Sequence, residues 1–328
     1  MPERLLSQLA HVEILSPRPQ DTVDFLTGVL GLQETEQQGR SSYLRGWAEA
    51  FHHSLQVTEA ETTGLGHIAW RADGPEQLRK AVKRLEAAGG GEGWDEGGLG
   101  HGPAYRYRPP HGRQLMEVFW EVERVKSTGD KASTFPNRPQ RLPAHPIAPR
   151  YIDHVTVNSP DIRGDCEWYR DALGHRFMEY TTPPGAELVV FAMMTVCERS
   201  HDLGIVPEGS ELRGRFNHVA FWLDQREDLP SAAYFLMESG TPIEFGPGRH
   251  GMGDIDYLYF REPAGMRIEL NSGTLRNYEP DWKTIRWTAE QGSNIFYRNV
   301  EMPHSMMESF PPAEVHAPAE AVARPVFT

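Results

Sequence analysis

Short segments in which apolar and polar residues alternate predict strands along most of this chain, and they recur in one order. In the first half, the predicted strand, helix and two further strands lie at residues 9–15, 19–30, 42–47 and 54–58. A strand at residues 67–70 then begins the order again. It precedes a helix in which Leu78, Val82 and Leu85 share one face and which ends at Gly89.

The second half repeats the pattern. A strand from Ile152 and a helix that ends at Gly174 precede strand-like segments at residues 187–196 and 202–206. A strand from His218 and a further helix follow, the helix at residues 232–237. Each half therefore predicts two βαβββ units. Four such units, paired into two curved sheets with a funnel inside each pair, predict an α+β architecture of two tandem domains.

A Pro-rich segment without apolar periodicity separates the two halves at residues 127–150 and predicts a connector. We therefore expect an N-terminal domain at residues 1–126 and a C-terminal domain at residues 151–275. The remaining residues, 276–328, are expected to form a tail that packs near the C-terminal funnel, with its last part disordered.

Composition narrows the possible partners. The chain has 328 residues, 39% of them hydrophobic and 10% aromatic, which indicates a globular protein. A net charge of −13 disfavours nucleic acid as a partner, because phosphate binding depends on an excess of Lys and Arg. Two cysteines predict no disulfide framework and favour the cytoplasm. The chain start has no long apolar run, so no membrane segment is expected.

The same three types of potential metal ligand recur in both halves, two histidines and one glutamate at similar spacing. They are His11, His67 and Glu117 in the first half, and His154, His218 and Glu269 in the second. A single such histidine is more often structural, but six residues at matched spacing favour a metal site. Two imidazoles and one carboxylate on one face of a metal leave its other positions open, as in non-haem Fe(II) oxygenases. The pattern thus predicts oxygen chemistry on a small organic molecule.

The segment from Gly248 to Glu269, which contains His250 and Tyr259, resembles the signature of the type I extradiol ring-cleavage dioxygenases. The resemblance to catechol 2,3-dioxygenases of the vicinal oxygen chelate superfamily extends over residues 8–300. It implies a vicinal oxygen chelate, or glyoxalase-like, fold. It also implies Fe(II), occasionally Mn(II), bound by the second ligand set. The first set is then expected to be metal-free and its domain non-catalytic, although His53, His101 and Tyr107 leave a second metal site open.

The resemblance also implies roles for individual residues. His201 corresponds to the acid–base histidine, and His250 and Tyr259 to residues that hydrogen-bond the substrate. Each could instead be an ordinary structural residue. The implied reaction is cleavage of a catechol with O2 to a 2-hydroxymuconic semialdehyde, by a homo-oligomer such as a tetramer.

Three apolar residues are candidates for the substrate pocket: Phe191, Met193 and Phe245. Phe245 occupies a place where homoprotocatechuate-type relatives have an arginine. Since a phenyl ring cannot pair with a carboxylate, a neutral or alkyl-substituted catechol is favoured. Phe191 and Met193 could equally be plain core residues.

Two other classes of function are compatible with this scaffold. One is a metal-dependent isomerase, hydroxylase or thiol transferase of the glyoxalase type, and the other is a non-catalytic small-molecule binding protein. The set His201, His250 and Tyr259 argues against the first class, and a sequestering protein would keep the funnel but need no metal triad. Metal content together with oxygen uptake in the presence of catechol would separate the three.

Overall fold

The computed structural model describes residues 4–294 and 301–313. These residues form four consecutive βαβββ units, two in an N-terminal half and two in a C-terminal half. Each half builds one mixed sheet. This confirms the α+β architecture of two tandem, curved-sheet units predicted from the hydrophobic pattern.

The elements of the N-terminal half are β1 (Leu6–Ser16), α1 (Pro19–Gly28), β2 (Gln33–Gln38), β3 (Ser41–Arg45), β4 (Leu55–Glu59), β5 (Gly64–Ala72), α2 (Pro75–Ala87), β6 (Gly91–Asp95), β7 (Ala104–Tyr107) and β8 (Met116–Phe119). Those of the C-terminal half are β9 (Tyr151–Ser159), α3 (Ile162–Leu173), β10 (Arg176–Thr181), β11 (Phe191–Thr195), β12 (Leu203–Pro207), β13 (Phe216–Trp222), α4 (Asp228–Glu238), β14 (Ile243–Arg249), β15 (Ile255–Arg261), β16 (Arg267–Gly273) and β17 (Ile285–Trp287). Short 3-10 turns lie at Gly129–Lys131, Met252–Asp254, Ala289–Gln291 and His304–Met307.

The two sheets have matching topologies. Their strand orders are β2-β3-β4-β1-β5-β8-β7-β6 and β14-β15-β16-β13-β9-β12-β11-β10-β17. In each, the opening strands of the two units pair antiparallel at the centre, β1 with β5 and β9 with β13. Each opening strand also pairs in parallel with the closing strand of its own unit. The candidate histidines lie on the central strands, and the glutamates lie on the adjacent strands β8 and β16.

Local sequence explains the helices that flank the sheets. Helix α2 has Pro75 in its first turn, where the missing N–H costs nothing, and it buries Ala81, Val82 and Leu85 on one face. Helix α3 begins at the N-cap Asp161, whose side chain accepts a 2.9 Å hydrogen bond from Gly164 N–H. It ends at Gly174, which takes the left-handed conformation at φ 77°.

One hydrophobic core spans both halves and fixes their relative position. Phe25 of α1 lies against Phe260 of β15, with ring centroids 6.0 Å apart. Tyr169 of α3 donates a 3.3 Å hydrogen bond to the Met116 sulfur of β8. The buried threonine Thr22 donates a 2.7 Å hydrogen bond to a Glu262 carboxylate oxygen.

The chain after β16 returns across the C-terminal sheet. Strand β17 pairs with the edge strand β10. Phe310 exchanges two backbone hydrogen bonds with Phe216 of β13, at 3.0 and 2.7 Å. This places residues 304–308 beside the central strands. The disorder expected for the last part of the tail concerns residues 314–328, which lie outside the described residues.

Several strands differ from the sequence predictions, and β10 is among those that the predicted segments leave out. Strand β2 has no apolar alternation and forms through its pairing with β3, and β17 is too short to give a periodic signal. The strand expected at residues 187–196 begins only at Phe191. None of the helices in residues 4–294 and 301–313 is long and apolar enough to cross a bilayer.

Candidate active site

Three neighbouring strands bring His154, His218 and Glu269 together. His154 lies on β9, His218 on β13 and Glu269 on β16. In the parallel pair β13 and β16, Ala220 is the register partner of Glu269. His218 is two residues before Ala220, so both side chains leave the same face of the sheet.

The three potential ligand atoms form a compact triangle. His154 Nε2 and His218 Nε2 are 3.2 Å apart, and each lies 3.1 Å from Glu269 Oε2. All three residues are buried. Neither oxygen of Glu269 has a hydrogen-bond donor among the described residues. A buried carboxylate without donors is costly unless a cation compensates it, so the donor set fits a divalent metal ion.

A carboxylate orients the His154 ring. Asp153 Oδ2 lies 2.9 Å from His154 Nδ1, and Asn271 Nδ2 donates to the same carboxylate oxygen at 2.9 Å. Since the carboxylate only accepts, His154 Nδ1 carries the proton and Nε2 presents its lone pair to the triangle.

An amide that is itself held by the tail orients His218. Asn217 Nδ2 donates to the carbonyl oxygens of Met306 and Glu308, both at 3.1 Å. This fixes Asn217 Oδ1 as the acceptor for His218 Nδ1, at 2.8 Å. His218 Nε2 is therefore also left with its lone pair toward the centre of the triangle, where an ion would lie.

The charges of the triangle are coupled. Burial lowers the pKa of both imidazoles, but at His154 the Glu269 and Asp153 carboxylates outweigh burial and raise the pKa to about 9. At His218 burial prevails and lowers the pKa to about 4. The Glu269 and Asp153 carboxylates thus favour a positive charge at this place, which a bound metal ion would supply.

His201 lies beside the triangle as a neutral base. Its ring centroid is 4.1 Å from that of His154, and its Nδ1 lies 3.0 Å from Ser200 Oγ. Burial, followed by the neighbouring His154, holds the His201 pKa well below its ordinary value. The Ser200 contact leaves Nε2 available to a substrate oxygen.

His250 and Tyr259 lie on the other side of the triangle. His250 Nδ1 donates a hydrogen bond to the Asn294 carbonyl, so Nε2 accepts from the Tyr259 hydroxyl at 3.2 Å. Burial and then Glu269 hold the Tyr259 pKa well above its ordinary value, which keeps this hydroxyl protonated. The Tyr259 ring meets His218 edge-on, with centroids 5.3 Å apart.

A cavity of about 340 Å³ opens above the triangle. Among the described residues no Lys or Arg contributes to its wall. Its apolar lining residues are Val190, Phe191, Met193, Val206, Pro207, Phe245, Met252, Ile255, Met302, Met306 and Met307. All three pocket residues suggested by the sequence, Phe191, Met193 and Phe245, are among them. The volume is in the range of small-molecule sites.

The first ligand set also converges. His11 on β1, His67 on β5 and Glu117 on β8 place their donor atoms within 4.8 Å of one another. His101 lies next to them, with its ring centroid 5.3 Å from that of His11. The cavity here is only about 10 Å³. The two halves thus share the ligand geometry but differ in the space around it.

Sequence reasoning overlooked the residues that orient the imidazoles, namely Asp153, Asn217 and Asn271. A signal for two of them was present, since a polar residue directly precedes each histidine in Asp153-His154 and Asn217-His218. A residue next to a strand histidine normally points to the opposite face. Register shifts against the partner strand break that alternation, with the extra residue in β13 between Phe216 and His218 and in β9 between Ile152 and Val155.

Comparison with known proteins agrees with this geometry. Residues 8–97 and 151–270, more than half of the chain, match the family model described as Glyoxalase/Bleomycin resistance protein/Dioxygenase superfamily. The matched segments correspond to the two halves and contain both ligand sets except Glu117. The resemblance noted in the sequence is confirmed.

Two curated relatives cover most of the chain. A metapyrocatechase from Geobacillus stearothermophilus is 34% identical over 287 residues, 87% of this chain and 86% of the relative. A manganese-dependent 2,3-dihydroxybiphenyl 1,2-dioxygenase from Geobacillus genomosp. 3 is 34% identical over 86% of this chain and 90% of the relative. Among solved structures, homoprotocatechuate 2,3-dioxygenase from Arthrobacter globiformis superposes with a TM-score of 0.83 at 25% identity, covering 95% of this chain and 94% of that one.

Proposed function

Because the chain belongs to the Glyoxalase/Bleomycin resistance protein/Dioxygenase superfamily, we propose that it is a metal-dependent extradiol dioxygenase that opens the ring of a neutral catechol with O2. Relatives named metapyrocatechase and 2,3-dihydroxybiphenyl 1,2-dioxygenase support this activity. The observation that carries the proposal is the neutral His201 imidazole beside a buried His154, His218 and Glu269 triangle, at the floor of an apolar cavity.

His154, His218 and Glu269 would hold the ion, Fe(II) in our proposal. One relative is manganese-dependent, so Mn(II) is the second choice to be tested. When bound, the ion lowers the pKa of the catechol hydroxyls and couples oxidation of the ring to reduction of O2. The Asp153 and Asn217 hydrogen bonds keep both imidazole lone pairs directed at the ion.

His201 is the proposed acid–base catalyst. As a neutral, buried imidazole it can accept a proton from a catechol hydroxyl and return it when the O–O bond breaks. Ser200 holds its Nδ1, and Thr274 in turn donates a 2.8 Å hydrogen bond to Ser200 Oγ. This chain of contacts fixes the plane of the ring.

Tyr259 and His250 are proposed to hydrogen-bond the substrate oxygens from the opposite side. The Tyr259 hydroxyl stays protonated and can turn from His250 Nε2 to a substrate oxygen. His250 is fixed from behind by the Asn294 carbonyl and by stacking on Tyr257, with ring centroids 3.9 Å apart. The pair therefore keeps its geometry while the substrate binds.

The cavity wall favours a catechol that is unsubstituted or carries an apolar group. Phe245, which stacks on Tyr257 at 4.8 Å, presents a phenyl face where a carboxylate would need a cation. Phe191 and Met193 add apolar surface that a substituent can bury, at about 0.8 kcal/mol for each methylene. The expected product is a 2-hydroxymuconic semialdehyde.

We assign catalysis to residues 151–275 and closure of the cavity to the tail, whose Met302, Met306 and Met307 line it. Residues 1–126 are proposed to be non-catalytic and residues 127–150 to connect the two domains. We also propose a cytoplasmic homo-oligomer, with a tetramer as the first candidate. The free cysteines Cys166 and Cys197 support a reducing compartment.

The decisive experiment is anaerobic loading of the metal-depleted protein with Fe(II) or Mn(II), followed by oxygen uptake. Catechol, 3-methylcatechol, 2,3-dihydroxybiphenyl and 3,4-dihydroxyphenylacetate would be compared at equal concentration. We expect one O2 consumed for each ring opened, a yellow product, and the lowest kcat/KM for the carboxylated substrate.

A His201→Phe protein loaded in parallel serves as the matched control, since it should keep the metal and lose the reaction. Metal binding without oxygen uptake on any catechol would contradict the proposal and would favour the glyoxalase-type alternative. Binding of catechol without any bound metal would favour a sequestering protein.

A further inference from the structure

The N-terminal ligand set is built more completely than a vestigial site requires. His11 Nε2 and His67 Nε2 are 2.8 Å apart, and each lies 3.6 Å from Glu117 Oε1. His101 Nε2 lies at the same distance, 3.6 Å, from that oxygen. We propose that these four residues bind a second divalent cation, of the Zn²⁺ type, in a closed structural site. The sequence had favoured a metal-free N-terminal copy.

The separations suit four-coordinate zinc. Zinc binds histidine nitrogen and carboxylate oxygen at about 2.0–2.2 Å, so the ligand atoms of a tetrahedral site lie roughly 3.3–3.6 Å apart. The three separations from Glu117 Oε1 are 3.6 Å, and the contact between His11 and His67 is shorter, at 2.8 Å. The compact set of donor atoms is that of His11, His67 and Glu117, so His101 would have to move closer to the two imidazoles to become the fourth ligand. An ion would need to move these two nitrogens apart by about 0.5 Å.

The hydrogen-bond partner of His67 Nδ1 differs from that of His218 Nδ1, and this is the strongest evidence for a metal site in the N-terminal half. In the C-terminal half, Asn217 precedes His218 and orients it. The equivalent residue before His67 is Gly66, which has no side chain. Glu13 from β1 enters the space instead and lies 2.8 Å from His67 Nδ1. A methyl group on Gly66 would overlap that carboxylate.

Glu13 is therefore not an incidental neighbour. Gln56 and Thr58 donate to its other oxygen at 2.9 and 2.6 Å and hold it in place. Because a carboxylate only accepts, His67 Nδ1 carries a proton, and the lone pair of His67 Nε2 is directed into the ligand set, where His11 Nε2 lies 2.8 Å away. Imidazoles that bind metals are typically supported by such a carboxylate.

His101 brings the fourth donor from the loop between β6 and β7. Its Nδ1 donates a 2.9 Å hydrogen bond to the Gly102 carbonyl, so its Nε2 carries the lone pair. That Nε2 accepts a 3.1 Å hydrogen bond from Gly98 N–H, which an ion would replace. The segment Gly97-Gly98-Leu99-Gly100 can adjust to this change because its glycines tolerate many backbone conformations.

Two buried polar atoms that lack partners point to a ligand here. Glu117 Oε1 has no hydrogen-bond donor among the described residues, although Glu117 is only 3% exposed. His53 Nε2 is likewise without a partner, and the His53 ring lies 4.5 Å from that of His11. The nearest cation to Glu117, the Arg106 guanidinium, is 3.9 Å from the other carboxylate oxygen. A metal ion would compensate the unsatisfied oxygen.

The space around the set excludes catalysis on an organic substrate. The cavity of about 10 Å³ has room for one water molecule at most. Phe119 fills the place that Asn271 has in the other half, and its ring stacks on His101 with centroids 4.5 Å apart. With His101 moved onto the ion, the site would have four protein ligands and no open position, as structural zinc sites do. The ion would join β1, β5, β8 and the β6–β7 loop.

The test is a count of metal ions in the intact, full-length protein. The protein is stripped with a chelator, loaded with Zn²⁺, passed through gel filtration and analysed by elemental mass spectrometry. We expect about two ions for each wild-type chain, one each for Glu117→Gln and Glu269→Gln, and none for the double variant. Ring cleavage by Fe(II)-loaded Glu117→Gln should persist, which separates this site from the proposed function.

Two further measurements keep the test independent of any folding defect. Zn²⁺ should raise the thermal midpoint of Glu269→Gln but not that of the double variant. Each protein is compared with and without Zn²⁺, so a folding difference between the variants does not affect the result. Co²⁺ bound to Glu269→Gln should show the intense visible absorption of four-coordinate cobalt, and His101→Phe should weaken it. One ion for each wild-type chain, or a second ion that survives Glu117→Gln, would overturn the proposal.

Discussion

Asn217 hydrogen-bonds both to the candidate metal ligand His218 and to the tail. Two different replacements of Asn217 separate its effect on His218 from its effect on the tail. Its Oδ1 accepts from His218 Nδ1 at 2.8 Å, and its Nδ2 donates to the Met306 and Glu308 carbonyls at 3.1 Å each. Asn217→Ala removes all three hydrogen bonds. Asn217→Asp keeps an acceptor for His218 but loses the two donors.

The magnitudes follow from these contacts. Loss of the group that orients a ligating histidine typically weakens metal binding about 10- to 100-fold, or roughly 1.4–2.8 kcal/mol. Loss of the two carbonyl contacts weakens tail docking by about 1–3 kcal/mol, at about 0.5–1.5 kcal/mol for each hydrogen bond. Arg267 limits the damage, because it still binds the Ser305 and Glu308 carbonyls at 2.6 and 2.9 Å.

We therefore expect Asn217→Ala to show both weaker metal binding and a raised KM for catechol, since Met306 and Met307 line the cavity. Asn217→Asp should show the raised KM alone. A competitive titration of Fe(II) against a chromophoric chelator gives the metal affinity, and initial rates give KM. Equal metal affinity in wild type and Asn217→Ala would refute the idea that Asn217 orients His218.

Three other changes have defined outcomes. His218→Ala should lose most bound iron in elemental analysis with little change in the far-UV circular dichroism, because the strand core is supplied by its neighbours; full iron retention would remove His218 from the ligand set. His201→Phe should keep iron and catechol but slow single-turnover ring opening by about two to four orders of magnitude, and an unchanged rate would exclude it from proton transfer. Glu244→Gln should lower the free energy of unfolding at pH 7 by about 2 kcal/mol in urea titrations, after allowance for solvent screening. Burial opposes ionisation of Glu244, but hydrogen bonds from Arg267 and Arg261 lower its pKa to about 2. Its contribution is complete above the unfolded pKa and is lost as the pH falls from about 4.5 towards 2, so the two proteins should converge in acid; a difference that persists there would contradict this ion-pair account.

The sequence by itself determined the repeated architecture and the metal-ligand types. Strand and helix periods depend on neighbouring residues, so the four βαβββ units could be predicted from the order of apolar residues. Matched spacing of two histidines and one glutamate in each half predicted two convergent ligand sets. The positions of His250 and Tyr259 followed from a resemblance over the continuous segment from Gly248 to Glu269, and that of His201 from the same family resemblance at a separate place in the chain. Strands β2 and β17 escaped prediction because sheet pairing, and not their own pattern, makes them extended.

Only the tertiary structure decided what each ligand set can do. The same ligand types lie under a cavity of about 340 Å³ in one half and about 10 Å³ in the other. That difference arises from side chains distant in sequence, such as Met306 over one triangle and His101 against the other. The exchange of Asn217 for Glu13 beside the second histidine is equally non-local, because Glu13 lies 54 residues from His67. Packing across strands sets which atoms meet and how much space remains, and no local periodicity encodes either quantity.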